Sequence, residues 1–335
     1  MKKLIILSSF LFFLSSLYAQ SIEDYLSVPF PTSLTANPSG TAVAWVFNEK
    51  GERNVFYAES PEYNTIKLTD YKGDIGVEID QLNFSPDGKY LLFVRGNAPN
   101  SKGEPANPAQ LQEDLGRVIH FVELAEGEIH EVAKGSSPLF HPKENKFIFI
   151  HSGKVYYSGL EKDEKPSELF YARGSQGQFV WRPDGKMLAF SSNRGDHAFL
   201  GLLDLETKEL SYPDPGMDHD GYPAWNADGT QLAYLRVPNI NNQLPFTSLK
   251  ETYPWTIRVL DLETMKAQEV FKASKGPGSV MVRDLPAVNK RLWWTPSNAL
   301  VFPDEVHSFL LHRNWVAAYQ ATFNFFQEQL KKKRN

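Results

Sequence analysis

Residues Trp181–Ser191, WRPDGKMLAFS, form the unit from which most of this chain is built. Pro183 presets φ at the first corner of a tight turn, Asp184 can bond the backbone ahead of it, and Gly185 suits a corner with positive φ. After the turn, Met187, Ala189 and Ser191 lie on one face of a strand and Leu188 and Phe190 on the other, so both faces are largely apolar. The sequence therefore predicts a tight turn followed by a strand buried between layers.

The same turn and strand recur along the chain. The further copies are Asn37–Val46, Ser85–Val94, His141–Ile150 and Trp225–Leu235, and another begins at Trp294–Asn298. Counted at positions 38, 86, 142, 183, 227 and 296, successive turns are 48, 56, 41, 44 and 69 residues apart. A propeller blade of four strands needs about 40 to 45 residues. The spacing predicts an all-β β-propeller with about five four-stranded blades and a partial sixth.

A second pair of strands follows each copy, and this pair completes a four-stranded antiparallel meander. In two copies the sequence Asp-Leu-Glu-Thr, at Asp204–Thr207 and Asp261–Thr264, forms the connection of a hairpin. The longer loops Asn97–Pro108 and Val237–Pro254 are rich in proline and asparagine. Each is either a loop that contacts substrate or, as we favour, a solvated crossover.

Composition excludes several classes of function. The 335 residues include 35 basic and 40 acidic ones, spread without long runs, and the net charge is −5. No nucleic-acid surface is expected from this balance. Cysteine is absent, which excludes disulfides, thiolate metal sites and a cysteine nucleophile.

The first residues have the pattern of an export signal. Lys2 and Lys3 precede the apolar run Leu4–Leu17, and Ala19 offers a small residue for cleavage. We expect a signal peptide over 1–19 and a mature protein in a bacterial periplasm or secreted, since an exported chain without disulfides favours that compartment. The alternative is a retained anchor, but the run is short for a membrane span.

The last segment predicts an amphipathic helix. Apolar positions recur there every three to four residues, at Trp315, Tyr319, Thr322, Phe323, Phe326 and Leu330. Four cations, Lys331–Arg334, follow it and suit a helix C-terminus.

The Pro-Asp-Gly repeats resemble the propeller repeats of TolB-like proteins and of the prolyl oligopeptidase family, whose members couple a β-propeller to an α/β-hydrolase domain. Ser191–His197 is similar to a strand end of bacterial members. Phe302–Phe309, followed by Trp315–Tyr319, resembles the segment that carries their catalytic histidine and final helix. By this resemblance His307 stands at the general-base position of a Ser-His-Asp triad.

The chain departs from that family in its hydrolase part. The nucleophile elbow Gly-x-Ser-x-Gly occurs nowhere, and the nearest string, Gly276–Val280, lacks the second glycine. Only eight residues separate Asn298 from His307, whereas one βαβ unit takes about 30 residues or more. We therefore expect an incomplete propeller over 20–300 and, over 301–335, a remnant of the hydrolase domain.

Two groups of residues are candidates for catalysis or metal binding. His307 could act with Ser308 and Asp304, but these lie in one short loop, so we expect a vestigial histidine and no nucleophile. Asp218, His219 and Asp220 combine ligand types that a metal accepts. Adjacent residues rarely point one way, so a solvated turn is the favoured interpretation, and no metal or cofactor is expected.

The sequence thus predicts a truncated, inactive serine peptidase homologue of the prolyl oligopeptidase type, whose propeller in intact relatives gates access of a peptide substrate to the hydrolase site. The alternative is a TolB-like periplasmic propeller that binds a protein partner through a propeller face or the C-terminal helix. A sequence artefact of a longer peptidase is a third explanation. No nucleic acid and, after signal cleavage, no membrane is expected as a partner.

Overall fold

The computed structural model describes residues 27–161, 164–239, 255–273, 292–295 and 300–301. The signal peptide over 1–19, the C-terminal helix and His307 lie outside the described residues, and they stay predictions. Contacts divide the chain into two compact units, the first mainly before Ser167 and the second mainly from Ser167 onward. Among the residues that the structure describes, none forms a helix of the length and hydrophobicity needed to span a bilayer.

The first unit contains two complete antiparallel sheets, each with its strands in chain order. The first sheet consists of β1 (Phe30–Ala36), β2 (Ala42–Glu49), β3 (Glu52–Glu59) and β4 (Ile66–Lys67). The second sheet consists of β5 (Ile79–Phe84), β6 (Tyr90–Arg95), β7 (Val118–Glu123) and β8 (Ile129–Lys134). The strands of the third sheet are divided between the units, and they are β9 (Ser136–Phe140), β10 (Lys146–His151), β11 (Lys154–Gly159) and β12 (Ser167–Phe170).

The second unit contains two further meanders. The fourth sheet consists of β13 (Ser175–Trp181), β14 (Met187–Asn193), β15 (Ala198–Asp204) and β16 (Leu210–Ser211). The fifth sheet consists of β17 (His219–Trp225), β18 (Gln231–Val237), β19 (Thr256–Asp261) and β20 (Lys266–Lys272). A parallel pairing of Ala198 with His219 joins the two sheets. A short pair, β21 (Trp293–Trp294) and β22 (Leu300–Val301), stands where a sixth turn was predicted.

The five predicted turn and strand units are confirmed, since each turn connects the first and second strands of a sheet. In the fourth sheet the N–H of Gly185 donates to the carbonyl of Arg182 at 2.8 Å, and Asp184 Oδ1 accepts the N–H of Lys186 at 2.9 Å. Gly185 has the positive φ that the sequence predicts, +80°. The described part of the chain is therefore all-β, with four-stranded antiparallel sheets as in propeller blades.

The second strands of four sheets, β6, β10, β14 and β18, are buried on both faces as predicted, whereas β2 in the first sheet is fully buried on one face only. Leu188, Ala189 and Phe190 on β14 have no exposed surface. One cluster in the second unit packs residues of the fourth and fifth sheets together, and its members are Ala189, Leu200, Leu202, Leu232, Tyr234 and Leu260. The burial of this cluster fixes the fourth sheet against the fifth.

The first strand of each sheet contains a bulge that the sequence did not predict. One residue per strand, none of them glycine, has left-handed φ between +53° and +58°, and these are Ser33, Gln81, Ser137, Gln178 and Tyr222. The strand register shifts at each of these positions, as in a β-bulge. Bulges change the direction of side chains, and the bulge residues of the second unit, Gln178 and Tyr222, both line a pocket.

Candidate functional site

A pocket of about 210 Å³ lies between the fourth and fifth sheets of the second unit. Its polar lining comes from the first strands of both sheets and from β14, and it consists of Gln178, Ser191, Asn193, His219, Asp220 and Tyr222. We call this the amide pocket, because two carboxamide side chains line it.

The orientation of both carboxamides is fixed by backbone groups. Gln178 Oε1 accepts the N–H of Tyr222 at 2.6 Å, and Asn193 Oδ1 accepts the N–H of Gly195 at 2.8 Å. A backbone N–H can only donate, so the carboxamide oxygen must face it and the NH₂ group must face away. Neither NH₂ group finds an acceptor among the residues that the structure describes. Each therefore remains a donor for a ligand.

Gly221 permits the close approach of Gln178. A Cβ atom at this position would lie 2.7 Å from Gln178 Oε1, closer than side-chain carbons come to oxygen. The hydrogen bond from Tyr222 on β17 to Gln178 on β13 can therefore form because Gly221, next to Tyr222, has no side chain.

Asp220, which lines the pocket, forms a buried ion pair with Arg236. Arg236 donates from Nε to Asp220 Oδ1 at 2.6 Å and from Nη2 to Asp220 Oδ2 at 2.8 Å, a bidentate contact. The Asp220 side chain is only 1% exposed. Burial raises the pKa of Asp220, and the hydrogen bonds and charge of Arg236 oppose that rise. Burial alone would lower the pKa of Arg236. The hydrogen bond and the negative charge of Asp220 outweigh this effect and raise the pKa.

A second acidic residue balances a second arginine next to this pair. Asp214 Oδ2 accepts from Arg258 Nε at 2.7 Å and from the hydroxyl of Tyr234, and it lies 3.1 Å from Arg236 Nη2. Burial alone would raise the pKa of Asp214, but the hydrogen bonds from Tyr234 and Arg258 and the positive charges of the two arginines lower it. Two carboxylates thus neutralise two guanidinium groups.

The favoured interpretation of Asp218–Asp220 as a solvated turn is wrong. β17 begins at His219, and the side chain of Asp220 is directed to Arg236 on the neighbouring strand. Asp218 Oδ1 accepts the N–H of Asn239 at 3.0 Å. No group of three or more metal-binding side chains occurs within the described ranges. Asp220 is structural, because its buried carboxylate has a cationic partner 16 residues away.

A larger groove of about 680 Å³ adjoins the amide pocket and shares Gln178 and Tyr222 with it. We call it the aromatic groove, since its lining includes Trp181, Pro183, Pro223, Trp225 and Trp294.

Two of these tryptophans are held by the same contact in successive sheets. Trp225 Nε1 donates to the carbonyl of Val180 at 3.3 Å, and Trp294 Nε1 donates to the carbonyl of Ala224 at 2.9 Å. Trp294 therefore takes, on the fifth sheet, the place that Trp225 takes on the fourth.

The predicted catalytic histidine cannot be placed in this site, because His307, Ser308 and Asp304 lie outside the described residues. The sequence patterns did not predict that Gln178 and Asn193 line a pocket. Asn193 lies in Ser191–His197, which was noted only for its resemblance to a strand end. For Gln178 the one available signal was that a glutamine also stands at the equivalent bulge, Gln81.

Comparison with known proteins shows the fold alone. A puromycin-hydrolysing peptidase of Mycobacterium tuberculosis is 18% identical with a TM-score of 0.50, over 81% of this chain and 42% of that one. Dipeptidyl peptidase 4 of Porphyromonas gingivalis is 14% identical with a TM-score of 0.50, over 72% of this chain and 39% of that one. TolB from Acinetobacter baumannii is 15% identical with a TM-score of 0.45, over 74% and 55%. The chain therefore shares the fold of peptidase propellers and spans less than half the length of the two peptidases.

Sequence comparisons add little to this. No family model matches the chain. A curated relative, glucosyltransferase-I of Streptococcus downei, is 25% identical over 186 residues, which is 53% of this chain and 11% of that protein.

Proposed function

We propose that this chain is a peptide-binding propeller of the prolyl oligopeptidase type that does not itself hydrolyse peptide bonds. The observation that carries the proposal is the adjacency of the amide pocket and the aromatic groove, which share Gln178 and Tyr222. An extended peptide presents a carbonyl and a side chain at each residue. The pocket offers donors for the carbonyl, and the groove offers aromatic surface for an apolar side chain.

The serine of the site supports binding without chemistry. Ser191 Oγ donates its proton to the backbone carbonyl of Asp220 at 2.8 Å. A serine nucleophile must instead give that proton to a general base. The absence of a Gly-x-Ser-x-Gly string from the sequence agrees with this, because that elbow supplies both the nucleophile and an oxyanion-hole donor.

The first test is a measurement of hydrolysis. We expect purified protein to release no product from peptide or ester substrates above background and to take no label from a fluorophosphonate probe. Heat-unfolded protein provides the control for nonspecific labelling. Turnover that copurifies with the protein and disappears in His307→Ala would contradict the proposal, since it would require a nucleophile and a working histidine.

The second test is a measurement of binding. We expect the protein to bind a subset of blocked decapeptides on a synthetic array, and the tightest binder to give a saturable isotherm in calorimetry. Binding of no peptide on the array would contradict the proposal. A protein partner captured by a chain that binds no peptide would favour the TolB-like alternative instead.

A further inference from the structure

We propose that Gln178 and Asn193 determine the specificity of the amide pocket by donating hydrogen bonds to a neutral amide carbonyl of the ligand. The inference rests on the proposed function and names the part of the peptide that the pocket binds. It follows from the way the two carboxamides are held, from the charges around them and from the size of the pocket.

The backbone occupies the acceptor oxygens of both side chains and leaves their donors free. Tyr222 and Gly195 hold the two carboxamide oxygens, so both NH₂ groups are left to donate. A ligand without an acceptor would leave these donors unpaired when it displaced water, and sites built for a hydrogen bond reject such ligands strongly. The matching group on the ligand is therefore a carbonyl oxygen.

The surrounding charges favour a neutral carbonyl over a carboxylate. Lysine and arginine are absent from the lining of the pocket in the described part of the chain. The nearby Arg236 is already bonded by Asp220 and by the carbonyl of Asp214. An anionic group would therefore find no free cation in the lining, because the charge of Arg236 is already balanced by Asp220, whereas a neutral carbonyl needs only a donor.

The volume limits the part of a ligand that the pocket can hold. At about 210 Å³ the pocket is smaller than the roughly 300 to 1,000 Å³ of a typical small-molecule site, so it suits a short part of a peptide. The side chains of the same peptide then extend into the aromatic groove, which begins at the shared residues Gln178 and Tyr222.

The chain supplies a matched control for the experiment. In the second sheet, Gln81 occupies the equivalent bulge, and its Oε1 accepts the N–H of Ser137 at 2.6 Å. Gln81 makes the same structural bond as Gln178 but does not line the pocket. Glutamate at either position keeps the oxygen that accepts the backbone N–H and removes the NH₂ donors.

The test compares Gln178→Glu, Asn193→Asp and Gln81→Glu in calorimetric titrations with the tightest-binding blocked decapeptide of the array. We expect Gln178→Glu and Asn193→Asp each to weaken binding about tenfold, as loss of one good hydrogen bond does. Gln81→Glu, which adds the same charge, should stay within about twofold of the unaltered protein. In ¹⁵N spectra, the side-chain NH₂ signals lost in the first two variants should be those that the peptide shifts.

Each outcome decides a different point. Peptide binding that is unchanged in Gln178→Glu and Asn193→Asp would overturn this inference and leave the proposed function standing. An equal loss in Gln81→Glu would assign the effect to charge and overturn it as well. Failure of the unaltered protein to bind any peptide would overturn both. Tighter binding of the same peptide with a free C-terminal carboxylate in place of its amide would contradict the choice of a neutral carbonyl.

Discussion

At the scale of single residues, the buried ion pair between Asp220 and Arg236 makes the second unit sensitive to substitution at either position. Removal of one partner from a buried pair leaves the other charge uncompensated, which costs about 3 to 5 kcal/mol. Here the arginine keeps its contact with Asp214, so we expect Asp220→Ala to lower the free energy of unfolding by about 3 kcal/mol.

The measurement is urea unfolding followed by tryptophan fluorescence. Glu168→Ala is the control, because Glu168 pairs with Lys154 at 2.7 Å while both side chains are more than 40% exposed. An exposed pair contributes about 0 to 1 kcal/mol. If both variants lose the same small amount, Asp220 is not an important part of the second unit.

At the scale of elements, the turn of the fourth sheet has less free space around its glycine than the equivalent turn of the first sheet. Gly185 and Gly40 occupy the same corner with φ of +80° and +69°. A Cβ on Gly185 would lie 2.2 Å from Nε2 of the buried His141, whereas a Cβ on Gly40 meets no atom within 4 Å. The ring cannot easily move, since the same nitrogen contacts the carbonyl of Gly185 at 3.0 Å.

We therefore expect Gly40→Ala to cost about 1 to 2 kcal/mol, the penalty of the left-handed conformation alone. Gly185→Ala should cost at least about 1 kcal/mol more, because the added methyl group overfills its site. Urea midpoints of the two variants check this. Equal losses would show that His141 does not restrict the turn.

The turns and strands could be predicted because their chemistry is local. Proline, aspartate and glycine specify a corner within four residues, and the apolar run after them specifies a buried strand. The site could not be predicted in the same way, because its contacts join distant residues. Gln178 and Tyr222 are 44 positions apart, and Asp220 and Arg236 are 16 apart. The error at Asp218–Asp220 arose there, since a carboxylate beside a turn looks solvated until its partner on the next strand is known.

At the scale of the whole molecule, the remaining expectation concerns export. Because Lys2, Lys3 and the apolar run Leu4–Leu17 form a signal pattern, we expect protein recovered from the periplasm or medium to begin at Gln20. N-terminal sequencing tests this. Leu11→Asp should block processing by interrupting the apolar run, whereas Ser8→Ala should not. Folded protein that still begins with Met1 would contradict the expectation.

The order of the strands has a consequence for how the chain acquires its structure. Each of the five sheets pairs neighbours in chain order, so its partners emerge one after another during synthesis. The entropy cost of loop closure rises only slowly with loop length, even for the long connections from β6 to β7 and from β18 to β19, and contacts between sequence neighbours favour fast folding. Among the described residues, the strand pairing between the fourth and fifth sheets is limited to Ala198 with His219. We therefore expect each meander to form its own hydrogen bonds before its neighbour is synthesised, which would shorten the time that unpaired strand edges are open to aggregation.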